Sequence, residues 1–133
     1  MSNKFFIVGL FLLSSCQNKY ELKGKIFEHK SGIGTEFLFF PTESTYVNIL
    51  YQDKILEIIC EKYIKTSTAV VFYEFKFYDK QLTSLFNNKR PSSIEVYLSQ
   101  DCISFHYDFP ELNFCEIEES TLPREVREKI SEY

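Results

Sequence analysis

Residues 69–79, AVVFYEFKFYD, constrain the fold more than any other stretch of this chain. Val71, Tyr73, Phe75 and Phe77 alternate with Val70, Phe72, Glu74, Lys76 and Tyr78. Successive side chains of a strand point to opposite faces. The alternation therefore predicts a strand whose Val71–Phe77 face meets a core. Fourteen Phe and nine Tyr, against four Gly and no Trp, extend the argument to the whole chain. Aromatic and β-branched residues suit a pleated, half-buried surface, and such a composition excludes disorder as the main state.

Other segments read the same way. YELKGKIF (20–27) alternates Tyr20, Leu22 and Ile26 with Glu21, Lys23 and Lys25, and predicts a strand. HKSGIGT follows as a loop, and EFLFF (36–40) is a second strand ended by Pro41. From Asp53 to Lys65, Ile55, Ile58, Ile59 and Tyr63 line one helical face, and Asp53 suits an N-cap. A helix is expected there, beginning as early as Ser44. The competing reading is a hairpin turning at Gln52-Asp53, which the β-rich run Tyr46–Tyr51 favours. DKQLTSLFNNKRP predicts a short helix or turn, with Leu82, Leu85 and Phe86 at helical spacing. IEVYLS and CISFHYDF form a hairpin about Ser99-Gln100-Asp101, and LNFCEIE is a third strand after Pro110. Val126 and Ile130 mark a short C-terminal helix, with Thr121 as a candidate cap before Pro123. The expected order is β-β-α-β-α-β-β-β-α. It reads as a single small α+β domain, a mainly antiparallel sheet with one main covering helix and a short C-terminal helix.

The N-terminal segment has a different character. After Met1-Ser2-Asn3-Lys4 the chain is apolar from Phe5 to Leu13 and then small at Ser14 and Ser15, ahead of Cys16. A basic start, an apolar run of nine residues and a small-residue zone make the layout of a secretory signal. Nine helical residues cover about 14 Å at ~1.5 Å each, too short for a ~30 Å bilayer core. A buried first strand would explain the apolarity, but neither Lys4 nor the small residues. Leu13-Ser14-Ser15-Cys16 resembles the lipobox of bacterial lipoprotein signal peptides: an apolar residue, two small residues and an obligatory cysteine. The resemblance covers only the first 16 residues. It implies cleavage after Ser15, a diacylglyceryl thioether on Cys16 and acylation of the new amine. On that basis residues 1–15 are a cleaved signal peptide, 16–19 are a lipidated cysteine with a short tether, and 20–133 are the domain. Gln17, where an Asp favours inner-membrane retention in enteric lipoproteins, leans to the outer membrane of the cell envelope.

The signal segment carries Lys4 and no acid, so the remainder holds 14 basic and 19 acidic residues, a formal charge of −5. An acidic balance argues against nucleic acid as a partner. Cys60, Cys102 and Cys115 remain besides Cys16. An odd count allows one disulfide with a free thiol, or none. If the strands pair about the turn at 108–111, Cys102 and Cys115 share a face, directly opposed in one register and diagonal in the next. Opposed Cβ atoms lie ~4.5–5.5 Å apart against the ~3.8 Å of a disulfide, so this pair is the candidate bridge. Three buried apolar thiols are the alternative.

No motif for catalysis, a cofactor or a metal stands out. Cys102, His106 and Asp108 share one strand face, but Cys102 and His106 sit about 13 Å apart at ~3.3 Å per residue, beyond the ~3 Å of a working pair. The acids Asp108, Glu111, Glu116, Glu118 and Glu119 lack the Asp/Asn alternation and Gly of a calcium loop. His29 and His106 lack the companions a zinc site needs. KGKIFEHK is basic and near the anchor, a weak candidate for anionic head groups. The expected function is a lipid-anchored envelope protein, a non-catalytic binding or structural module with the membrane as its partner through Cys16. An inhibitor or immunity-type protein binding a protein partner, and a small envelope enzyme, are the alternatives.

Overall fold

The structure is a computed structural model and describes residues 21–133 other than 68, 100 and 107. The signal segment, Cys16, the tether and Tyr20 lie outside the described residues, as does Tyr107. Eight strands run in chain order: β1 (Ile26–Lys30), β2 (Thr35–Phe39), β3 (Thr45–Tyr51), β4 (Ile55–Lys65), β5 (Val70–Tyr73), β6 (Ser93–Ser99), β7 (Cys102–Ser104) and β8 (Phe114–Ile117). Helix α1 (Lys80–Phe86) lies between β5 and β6, and helix α2 (Arg124–Ile130) follows β8. Each strand pairs antiparallel with the next, and β8 returns to β1 through Ile26↔Ile117 and Glu28↔Cys115. The sheet is a closed barrel.

This corrects the α+β expectation. The main covering helix over 53–65 does not exist; that segment is β4, the longest strand, and the hairpin reading of 45–65 holds instead. The reason is that β4 carries apolar residues on both faces. Ile59 and Tyr63 are buried on the inside, and Ile58 packs outside against the cluster around α2. Apolar residues on both faces gave Ile55, Ile58, Ile59 and Tyr63 an accidental helical spacing. Asp53 caps nothing: at φ 62° it makes the tight β3–β4 turn, across which the Gln52 N–H donates to the Lys54 carbonyl at 2.9 Å.

The 69–79 strand is likewise shorter than its alternation. Val70 and Phe72, not Val71 and Tyr73, face the interior. Glu74 then adopts a left-handed conformation, φ 53°. That turn resets the alternation, so Phe75 and Phe77 also enter the core. The first strand starts later than expected, at Ile26, because Gly24 at φ 82° turns the chain and donates its N–H to the Phe40 carbonyl at 2.7 Å.

Eight strands enclose an interior that side chains just fill or that holds one small ligand. Here aromatic rings occupy it. Phe27, Phe40, Tyr46, Phe72, Phe105 and Phe114 converge from the strands and from the residues just past their ends. Phe75 lies among them, with ring centroids 4.9 Å from Phe105, 5.4 Å from Phe72 and 5.7 Å from Tyr46. A second apolar layer lies outside, where Leu122, Val126 and Ile130 cover Ile26, Phe37, Val47 and Ile49. The chain thus covers both faces of much of β1–β3.

Candidate functional site

The topology gives the barrel two unlike ends. The chain enters beside Phe40, and this proximal end holds the short connections 40–44, 66–69 and 100–101. The distal end holds 31–34, 52–54 and the two long connections, 74–92 and 105–113. Long connections on a rigid scaffold are where binding residues concentrate. The 74–92 segment folds back over the distal opening, and its Phe75, Phe77 and Leu82 belong to the interior cluster.

Beneath this segment is a buried polar cluster. His29 on β1 is 4% exposed and sits directly opposite Glu36 on β2. His29 Nε2 lies 3.1 Å from Asp79 Oδ2, and its Nδ1 lies 3.2 Å from the Asn113 carbonyl oxygen. Its ring stacks on Phe114 at 4.8 Å. Both ring nitrogens thus face oxygen atoms of other segments. Asp79 also caps α1: its Oδ1 accepts from the backbone N–H groups of Gln81 at 2.8 Å and Leu82 at 3.3 Å. Glu36 is 1% exposed and accepts from Asn48 Nδ2 at 3.1 Å. Burial pushes its carboxyl up to about 8; the Asn48 hydrogen bond opposes the shift and the charge of Asp79 adds to it. Glu36 therefore favours its neutral form at pH 7. Farther along, Glu57 holds Lys76 Nζ at 2.9 and 3.0 Å and is lowered by that contact. Burial, then Glu57, raises the neighbouring Tyr78 phenol.

In chemical terms the cluster is a strut. A general base needs a free lone pair within reach of a substrate proton. His29 has both nitrogens engaged and almost no exposure, so it ties β1, α1 and the β7–β8 connection together.

The residues singled out from sequence fall elsewhere. Cys102 and Cys115 are direct cross-strand partners on β7 and β8 and are joined in a disulfide. Cys102 therefore has no thiol to offer His106. Strand β7 ends at Ser104, so His106 and Asp108 lie in the distal connection, where the Asp108 N–H donates to His106 Nδ1 at 3.2 Å. Cys60 is an exposed free thiol 3.3 Å from the Tyr133 hydroxyl. Glu116 pairs with Lys25 at 3.8 Å. Among the described residues no three His, Cys, Asp or Glu side chains are grouped to hold a metal ion. No described helix is long and apolar enough to cross a membrane.

Above the cluster is an open groove of about 610 Å³, with Ile33 of the β1–β2 loop on one side and α1 with the Asn87–Lys89 turn on the other. Lys76, Lys80 and Lys89 line it, over a floor that includes Phe77 and Tyr78.

No protein-family model, curated protein or solved structure matches the chain. The site therefore rests on its own geometry. Sequence reasoning missed Glu36, Asn48 and Asp79, although one signal was present. Glu36 shares strand parity with Leu38 and Phe40, which places a carboxylate on the face that EFLFF turns to the core.

Proposed function

We propose that this chain is a lipid-anchored bacterial envelope protein whose barrel is a non-catalytic binding module, held at the outer membrane in preference to the inner. The observation that carries the anchor is Leu13-Ser14-Ser15-Cys16, at the end of the nine-residue apolar run Phe5 to Leu13 that follows Lys4. Two or more acyl chains give stable membrane attachment where one does not. The non-catalytic reading is supported by a saturated His29, a Cys102 taken up in a disulfide and an interior occupied by aromatic rings. Gln17–Lys19 reach roughly 10 Å at ~3.5 Å per residue. The chain enters the barrel at its proximal end, so the short tether turns that end to the bilayer and the distal connections away from it.

Metabolic labelling with radioactive palmitate in a bacterial host tests the anchor. The full-length protein should take up label and partition with membranes. Cys16→Ser should do neither. Equal labelling of the two, or none in either, removes this reading.

A further inference from the structure

We propose that the distal groove binds a small soluble organic anion, one carrying phosphate or carboxylate on an apolar body. This deepens the binding-module reading; anion binding in the groove does not depend on the anchor, while the soluble source rests on it.

The groove inverts the sign of its surroundings. The chain has a formal charge of −4, yet the groove is lined by Lys76, Lys80 and Lys89 and by no Asp or Glu. Lys76 is neutralised by Glu57 at 2.9 Å. Lys80 and Lys89 are exposed and form no ion pair among the described residues. Two unpaired ammonium groups face one concavity, each a compact point charge with three donors. Ser84, Asn87 and Asn88 add hydroxyl and amide groups along the same wall.

Size and floor define the rest of the ligand. At about 610 Å³ the groove suits a small organic molecule; such sites span ~300–1,000 Å³, far more than a bare inorganic ion fills. Ile33, Phe77 and Tyr78 offer apolar surface for its body. The walls are set in advance. Phe77 is buried and stacks on Phe86 at 5.2 Å, while Asp79 fixes the start of α1. A preformed site spares the ligand much of the ordering cost of binding.

The same anionic chemistry is found on free molecules and on lipid head groups. The groove lies at the end opposite the chain's entry, away from the membrane that a short tether would bring near. A soluble source follows.

The test is calorimetric titration of the full-length chain in neutral detergent micelles with 1-naphthyl phosphate, citrate and inorganic phosphate. Naphthyl phosphate should bind more tightly than inorganic phosphate, and its affinity should fall with added salt. The double variant Lys80→Glu/Lys89→Glu should lose about tenfold or more in affinity, because two exposed attractions are removed and replaced by repulsions of similar size. Lys23→Glu/Lys62→Glu makes the same change in net charge away from the groove and should bind like wild type. Absence of binding by all three anions, or equal losses in the two doubles, overturns the proposal. Displacement of naphthyl phosphate by phosphatidylglycerol doped into the micelles, in a manner dependent on Lys80 and Lys89, overturns the soluble source and assigns the groove to a head group. Labelling at Cys16 reads the anchor separately, so the two failures are distinguishable.

Discussion

His29 Nε2 and Asp79 Oδ2 lie 3.1 Å apart, fifty residues distant in sequence, and join strand β1 to the segment that closes the distal end. Their side chains are 3% and 12% exposed. Asp79 serves two partners at once, the imidazole through Oδ2 and the first turn of α1 through Oδ1.

Asp79→Ala should therefore cost more than an ordinary cap. Loss of a cap costs about 1 kcal/mol, and a buried donor left without its acceptor about 1–3 kcal/mol. We expect a total near 2–4 kcal/mol in urea unfolding at pH 7, with Asp79→Asn losing less because it can still cap the helix. A Asp79→Ala midpoint equal to wild type would show that the strut is energetically idle.

Glu36 gives the protein a pH-dependent stability. Its carboxyl is raised from the ordinary 4.5 to about 8, mainly by burial. Between those values the folded chain keeps a proton that the unfolded chain has released. Stability contributed by this group is full below about 4.5, falls as pH rises and is lost above about 8. The slope is at most ~1.4 kcal/mol per pH unit. Glu36→Gln should flatten this limb and melt higher than wild type at pH 8. Parallel pH profiles for the two proteins would refute the assignment.

The Cys102–Cys115 bridge stands where the barrel is least tied by its ladder. Strands β7 and β8 share two paired positions, Cys102↔Cys115 and Ile103↔Phe114, against seven between β3 and β4. The bridge closes a loop of sequence separation 13, for which chain entropy gives roughly 3 kcal/mol. Reduction, or Cys102→Ser/Cys115→Ser, should lower stability by about 2–4 kcal/mol in thermal or urea melts. No shift with reductant would mean the seam holds without it.

Helix α2 should prove structural. Ile130 is 5% exposed and packs with Val126 and Leu122 on the outer face of β1–β3. Ile130→Ala should cost about 2–5 kcal/mol, the range for a buried isoleucine truncation. Arg124→Ala, whose side chain is 90% exposed in an i,i+4 pair with Glu128, serves as the silent comparison. Similar melting of the two variants would place the outer core elsewhere.

Strand content was legible because a period of two survives wherever one face is dry and the other wet. The β6–β7 hairpin and the face shared by Cys102 and Cys115 follow from that period alone. β4 was misread because apolar residues occur on both of its faces, Ile59 and Tyr63 inside and Ile58 outside, and the two overlapping sets imitate a helix. The stretch 69–79 kept its alternation on paper, yet the backbone reversal at Glu74 broke it, and nothing in the residue types around Glu74 signals a positive φ. The distal cluster was hidden for a related reason. His29, Glu36, Asn48 and Asp79 come from four separate segments, and only the strand registers bring them together.

By itself the sequence determined the β6–β7 hairpin and which cysteines share a face, and its first sixteen residues supply the lipobox resemblance on which the anchor proposal rests. Those are properties of neighbours along the chain, governed by local periodicity and short motifs. Only the tertiary structure decided that the sheet closes, through the contact of β1 with β8, and that α2 and the 74–92 segment cover it from outside and from the end. Closure is a long-range event: it depends on the sum of twist and stagger over all eight strands, and no single segment carries that sum.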